Sequence, residues 1–352
     1  MNGPVIDEKF MRRCMQLAKN GLGRTAPNPM VGAVIVHNNH IIGEGFTSPF
    51  GGAHAEVNAI ASVKEKQLLS KSTLYVTLEP CSHFGKTPPC ADLIVVHKIP
   101  KIVIGLRDPH NKVAGKGIQK LKDAGCEVIT GVLEKECSEH HKRFLTFHIQ
   151  QRPYVILKWA ESADGFIAPV KAYRDTVPQP YWITGSLSKQ LVHKWRSEEQ
   201  AILVGTATVL EDNPKLDVRL WTGNSPIRVL LDKNLKIPAN YHVLNREHRT
   251  IVFTTVVDSS KYIPGIEYIV QEESEESAAA ICSELHRLQI QSVIVEGGAK
   301  TLQSFIDANL WDEARIFKGT SVFRNGICKP YINGNAIATK NIEEDSLTIM
   351  KK

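Results

Sequence analysis

Four side chains near the N-terminus, His54, Glu56, Cys81 and Cys90, bring together an imidazole, two thiols and a carboxylate. One His and two Cys make three N/S ligands for a zinc ion and leave its fourth tetrahedral position open, the arrangement of a hydrolytic rather than a structural site. Zinc lowers the pKa of a water at that position from about 16 to about 7, so a nucleophile is available at neutral pH. Glu56 stands two residues from His54, too close to be an easy fourth ligand but well placed to shuttle protons. H-x-E followed by P-C and a second Cys is the pattern of zinc-dependent base deaminases, in which an amidine-like ring carbon is attacked and the carboxylate carries protons to ring nitrogen and departing ammonia. A closed structural zinc takes four N/S ligands and has no use for the Glu.

The general pattern has two residues between its cysteines, whereas eight separate Cys81 from Cys90. The insert carries two cation-capable side chains, His83 and Lys86, in a loop shaped by Gly85, Pro88 and Pro89. A phosphate-bearing substrate suits such a loop.

These groups need elements to hold them. Residues 7 to 20 have helical spacing, and the β-rich runs VGAVIV and HIIGEGF, joined at HNN, read as a hairpin. AHAEVNAIASVK reads as a helix presenting His54 and Glu56 in its first turn, and TLYVTLEP as a buried strand delivering Cys81 at its end. Helix, strand, helix and strand then alternate through PCADLIVVHK, KIVIGLRD, GIQKLKDAG and CEVITGV, so the first domain is a layered α/β domain with several parallel strands. A polar helical stretch from Glu134 to Gln151 ends before Arg152-Pro153, where the domain boundary is placed: 1–151 and 152–352.

Strand character resumes at Tyr154 and recurs in AILVG, RVLLD, TIVFTT, IEYIV and SVIVEG, with helices at about 186–199, 275–289 and 299–310. The second domain is therefore also α/β. Residues 311–352 show only a terminal strand near Leu347 to Met350. No GxGxxG turn signals a Rossmann dinucleotide fold. Gly297-Gly298, between a β-branched strand and a helix, offers backbone N–H groups to a phosphate, and is equally an ordinary tight turn.

At 352 residues the chain exceeds what a single core usually supports. Its 42% hydrophobic and 23% charged content is that of a globular protein, and no apolar run approaches a membrane span. The seven cysteines are odd in number and scattered, unlike a disulfide framework. With no apolar signal core at the start, a cytosolic location is expected. The net charge of +6 comes from cations dispersed among acids, which gives no nucleic-acid surface.

HAEVNAI, TLEPCSHFGKTPPC, APNPMVGAVIV and DPHNKVAGKG together resemble the bifunctional riboflavin biosynthesis deaminase/reductase family, usually called RibD. ADGFIA, YWITGS, HKWRSEEQAILVGTATVLEDNPKLDVR and VEGGAKTLQSFI are similar to that family's reductase half. The resemblance implies a cytidine-deaminase-like three-layer α/β/α domain followed by a dihydrofolate-reductase-like α/β domain. It implies deamination of 2,5-diamino-6-(5-phosphoribosylamino)pyrimidin-4-one at one zinc per chain, then reduction of the ribosyl to a ribityl chain with NADPH. By the same carry-over Asn28 contacts the deaminase substrate. Ala160, Trp182, Thr208 and Asp212, with the segment Gly298, Ala299, Lys300, Thr301, Leu302, Gln303 and Ser304, contact NADPH. Arg196, Leu216, Arg219 and Glu296 contact the reductase substrate, each Arg able to clamp a ribose 5-phosphate bidentately. Lys158, Asp212 and Glu296 are the candidates for proton handling. Two features depart from the family: Pro180 stands where a small hydroxyl residue is usual, and residues 166–180 are longer than the usual connection.

A nucleoside or tRNA-base deaminase with an unrelated second domain, and a non-catalytic deaminase-like binding protein, are the alternatives. The long Cys81–Cys90 spacing weighs against the first and the intact ligand-plus-Glu set against the second. A homo-oligomer, dimer or tetramer, is expected, with no nucleic-acid or membrane partner.

Overall fold

A computed structural model describes residues 3–82, 84, 88–109, 114–174, 177–272 and 277–352. His83 and Lys86, expected to meet a substrate phosphate, lie outside the described residues. The chain divides into two compact units, Met1–Gln151 and Arg152–Lys352.

The first unit runs α1 (Gly3–Ala18), β1 (Gly32–His37), β2 (His40–Phe46), α2 (Ala55–Ser62), β3 (Thr73–Leu78), α3 (Cys90–Val96), β4 (Lys101–Leu106), α4 (Lys116–Asp123), β5 (Glu127–Thr130), α5 (Glu134–His140) and α6 (Lys142–Gln150). Its sheet has the order β2-β1-β3-β4-β5, with β1 antiparallel to both neighbours and β3, β4 and β5 parallel. Asn38 and Asn39, at φ 48° and 62°, make the two-residue turn whose twist matches a hairpin. Gly32 and Gly45 sit on opposite sheet faces, since Gly32 is paired with Phe46 and Gly45 with Ala33. A Cβ on Gly32 would lie 1.9 Å from the Cys14 oxygen of α1, and one on Gly45 would lie 2.3 Å from the Ala59 nitrogen of α2. Helices therefore press on both faces, and β3, buried from Leu74 to Leu78, is the apolar middle of three layers. The helical stretch before the boundary is two helices, interrupted at His141, whose buried ring turns inward to bond Thr77 Oγ1 at 3.1 Å.

The second unit runs β6 (Tyr154–Glu161), β7 (Phe166–Pro169), α7 (Ser186–Glu198), β8 (Ala201–Gly205), α8 (Thr206–Asp212), β9 (Ile227–Leu231), β10 (Thr250–Thr254), β11 (Glu267–Val270), α9 (Ala278–Arg287), β12 (Ser292–Glu296), α10 (Ala299–Asp307), β13 (Glu313–Lys318), β14 (Gly326–Cys328), β15 (Asn335–Ile342) and β16 (Asp345–Lys351). Its main sheet has the order β11-β10-β9-β8-β12-β6-β13-β16-β15, parallel from β11 to β13 and antiparallel beyond; β7 and β14 form a separate pair. Beyond the expected terminal strand, residues 311–352 form β13, β14 and β15 as well. β13 escapes a hydrophobicity reading because it buries Glu313 and Arg315 against each other, and β15 because it is an exposed edge strand. The parallel strands β6, β8 and β12 lie side by side, β8 and β12 ending at Gly205 and Glu296 with Lys158 of β6 paired to Glu296, and ligands of open α/β sheets bind at such carboxyl ends. Among the described residues no helix is long and apolar enough to cross a membrane.

Candidate active sites

In the first unit, His54 is the extended residue that caps α2, Cys81 follows the end of β3 and Cys90 opens α3. The three are brought together so that their ligand atoms lie within 4.8 Å of one another. His54 Nδ1 is 3.3 Å from Cys90 Sγ and 3.7 Å from Cys81 Sγ. A tetrahedral zinc with its usual bond lengths separates S and N ligands by about 3.6 Å, so this donor set fits the ion. The protonation pattern agrees. A hydrogen bond from Cys90 pulls the Cys81 thiol well down while the same bond and burial push Cys90 up, as when two sulfurs share one proton that a cation can replace.

Glu56, in the first turn of α2, is 4% exposed and interacts with Cys90. Burial first, and then the charge of Cys81, push its carboxyl up to about 7. A carboxyl poised near neutrality can both take and return a proton. Asn28 lies half-buried in the loop before β1, its backbone N–H donating to the Thr25 oxygen at 2.9 Å.

Glu79, passed over in the sequence, fixes the end of β3. Its buried carboxylate accepts four backbone N–H groups, from Asp108 at 3.2 Å, Gly115 at 3.0 Å, Gly117 at 3.0 Å and Ile118 at 3.1 Å. It thereby caps α4 and ties the β4–α4 loop to the residue two before Cys81. A Cβ on Gly117 would come 2.0 Å from the Pro80 oxygen, so only glycine lets α4 approach this closely. The acid preceding P-C is visible in the sequence, but its partners are nearly 30 to 40 positions away.

The second unit has a cleft of about 490 Å³ at the carboxyl ends of β6, β8 and β12. Lys158, Ala160, Trp182, Thr208, Asp212 and Gly298 line it, as do Arg196, Leu216, Arg219 and Glu296. Arg196 grips Glu296 through Nε at 3.1 Å and Nη2 at 2.9 Å, and Lys158 Nζ lies 3.8 Å from the same carboxylate. Burial opposes ionisation of Glu296, but Arg196 and Lys158 outweigh it and hold the carboxyl down at about 2. Burial lowers the pKa of Lys158, with Glu296 working against it. His193, absent from the expected set, is buried in the wall and accepts the Arg219 N–H at 3.2 Å. Burial, then Arg196 and Arg219, bring its pKa down to about 4. Leu216 is buried in the left-handed region at φ 54°, a conformation a branched residue keeps only where its surroundings enforce it.

Asp212, a candidate proton carrier, accepts a hydrogen bond from Arg174 Nη2 on its Oδ1 at 2.5 Å; burial raises its pKa, with Arg174 working against it. Two expectations change. Arg196 was to clamp a phosphate with its fork, which Glu296 already fills, and Arg219 is paired with Asp217. Of the segment 298–304, only Gly298 lines the cleft. Ala299, Lys300 and Thr301 form the first turn of α10, whereas Leu302 is fully buried in the core, Gln303 bonds the Tyr331 backbone, and the Ser304 hydroxyl donates to the Thr301 oxygen. Helical periodicity sends those three side chains elsewhere. The Gly297-Gly298 turn is tight: Gly297 has φ 99°, Gly298 donates its N–H to Thr208 Oγ1 at 2.8 Å, and a Cβ on Gly297 would sit 2.6 Å from that hydroxyl.

Residues 4–106 match the family described as cytidine and deoxycytidylate deaminase zinc-binding region, and residues 153–343 match the RibD C-terminal domain. Riboflavin biosynthesis protein RibD of Aquifex aeolicus is 37% identical over 99% of this chain and 94% of its own length. That of Bacillus amyloliquefaciens is 38% identical over 94% and 88%. The crystal structure of a diaminohydroxyphosphoribosylaminopyrimidine deaminase/5-amino-6-(5-phosphoribosylamino)uracil reductase from Thermotoga maritima matches with a TM-score of 0.89 at 39% identity, covering 98% of each chain. Acinetobacter baumannii RibD matches with a TM-score of 0.88 at 31% identity, also over 98% of each.

Proposed function

This chain belongs to the RibD family of riboflavin biosynthesis, a zinc deaminase followed by a reductase, and we propose that it deaminates 2,5-diamino-6-(5-phosphoribosylamino)pyrimidin-4-one and then reduces the ribosyl chain of the product with NADPH. The observation that carries this reading is the convergence of His54, Cys81 and Cys90 beside the buried carboxyl of Glu56. The RibD-type second domain removes the alternative of a base deaminase with an unrelated partner.

In the first unit His54, Cys81 and Cys90 would hold zinc, which would supply the Lewis acidity that lowers the pKa of water. Glu56 moves two protons in turn: it accepts one from the attacking water and gives it to the ring nitrogen, then takes the second from the new hydroxyl on the ring carbon and gives it to the departing amine, which leaves as ammonia as the carbonyl forms. Asn28, His83 and Lys86 hold the substrate, the last two through its phosphate.

In the second unit NADPH supplies the hydride. Ala160, Trp182, Thr208 and the turn Gly298–Thr301 hold the cofactor; the packing of Gly297 against Thr208 leaves the backbone of that turn uncovered by side chains of its own. Lys158, whose pKa burial lowers, is the proton donor to the sugar oxygen, because Glu296 is kept ionised by Arg196 and the Asp212 carboxyl is held by the Arg174 guanidinium. Leu216, Arg219 and His193 shape the substrate end. A homo-oligomer in the cytoplasm is the setting proposed.

Ammonia release and NADPH oxidation followed together on the phosphoribosylaminopyrimidine, with cytidine as control, test both halves. Ammonia first and NADPH consumption after it, neither with cytidine, is the expected result. Turnover of cytidine alone would defeat the reading.

A further inference from the structure

Six lysines and arginines line the cleft of the second unit: Lys158, Arg174, Lys189, Arg196, Lys215 and Arg219. Four are committed to carboxylates, Lys158 and Arg196 to Glu296, Arg174 to Asp212 and Arg219 to Asp217. Among the described residues, Lys189 and the exposed Lys215 have no carboxylate within 4.0 Å. Lys189 differs from Lys215 in being held. It is on α7 one turn before His193 and two before Arg196, so all three project from one helical face, and all three line the cleft. Its Nζ rests 3.9 Å above the ring of Trp182. The carboxylate it feels, Asp345, already accepts the Gly185 N–H at 2.9 Å and the Ser188 hydroxyl at 2.5 Å. Pro180, on the same wall, has no N–H to offer.

We propose that Lys189 binds a ligand phosphate in this cleft, either the sugar phosphate of the pyrimidine or the 2′-phosphate of NADPH. A cation without a counter-charge, kept on an aromatic face beside four internally neutralised ones, is the group from which an arriving dianion gains most. The inference rests on the reductase reading.

The test uses full-length protein carrying Lys189→Ala or Lys189→Arg. Dissociation constants for NADPH and NADH form one arm; kcat/KM for the phosphoribosylaminouracil and for its dephosphorylated analogue forms the other. Lys189→Ala should weaken one phosphate-bearing ligand about tenfold to a hundredfold and leave its phosphate-free counterpart unchanged, with Lys189→Arg restoring most of the loss. The arm that responds identifies the phosphate. Equal losses with and without the phosphate would overturn the inference in favour of packing through Trp182, and so would no loss in either arm. A wild-type protein that neither binds NADPH nor turns over the aminouracil would instead remove the reductase reading, and the inference with it.

Discussion

Arg174 and Asp212 form the ion pair that closes one side of the reductase cleft: Nη2 donates to Oδ1 at 2.5 Å, and the same nitrogen reaches the backbone oxygens of Glu211 and Gln179 at 3.4 Å. One guanidinium thus fastens the segment after β7 to the end of α8. Arg174, within the segment 166–180, is the arginine that occupies the aspartate.

Arg174→Ala should therefore loosen the second unit. Its side chain is 11% exposed, and its hydrogen bonds to a charged partner are worth about 1.5–3 kcal/mol. All five tryptophans, Trp159, Trp182, Trp195, Trp221 and Trp311, lie in this unit, so urea unfolding followed by tryptophan fluorescence reports on it alone. A midpoint identical to wild type would show that the pair contributes nothing.

Glu56→Gln should keep zinc and lose deamination by about 10² to 10⁴, because an amide cannot carry the proton. Cys81→Ser should instead release the metal. In both variants NADPH oxidation with the deaminated compound should persist. A zinc-replete Glu56→Gln enzyme releasing ammonia normally would defeat the assignment.

Glu79→Gln replaces half of a four-fold acceptor with an NH₂ group that faces backbone donors. Misplacing the loop and the strand end before Cys81 should weaken zinc binding about 10- to 100-fold, as loss of support behind metal ligands does. Competition with a chelator of known affinity measures it. Unaltered affinity would confine Glu79 to capping α4.

The cleft predicts an acid-labile second unit. His193 has a folded pKa of about 4, below its ordinary value of 6.5, so the stability it contributes as a neutral ring is complete above about pH 6.5 and lost as pH falls through about 4. Glu296, at about 2 against 4.5, keeps its contribution above about pH 4.5 and loses it as pH falls through about 2. In His193→Asn the decline between pH 6.5 and 4 should flatten while the steeper loss at lower pH remains. Parallel curves for the two proteins over the upper window would rule His193 out.

The sequence by itself determined the zinc chemistry and the layered α/β architecture, since both are written locally. A ligand set is a matter of residue types at short spacings, His54 with Glu56 and Pro80 with Cys81, and a buried strand such as β3 is a continuous apolar run. The α/β nature of the second half was equally legible in its alternating runs, while β13 and β15 were not, because paired buried charges and an exposed edge erase the periodicity. Only the tertiary structure decided which charges neutralise one another. Arg196 meets Glu296 across 100 positions and Arg174 meets Asp212 across 38, pairings set by where strands and helices end rather than by any spacing along the chain. A charged side chain looks the same in sequence whether it is free or taken, and the fold, by desolvating some and pairing others, set Lys158 beside Glu296 and left Lys189 without a carboxylate.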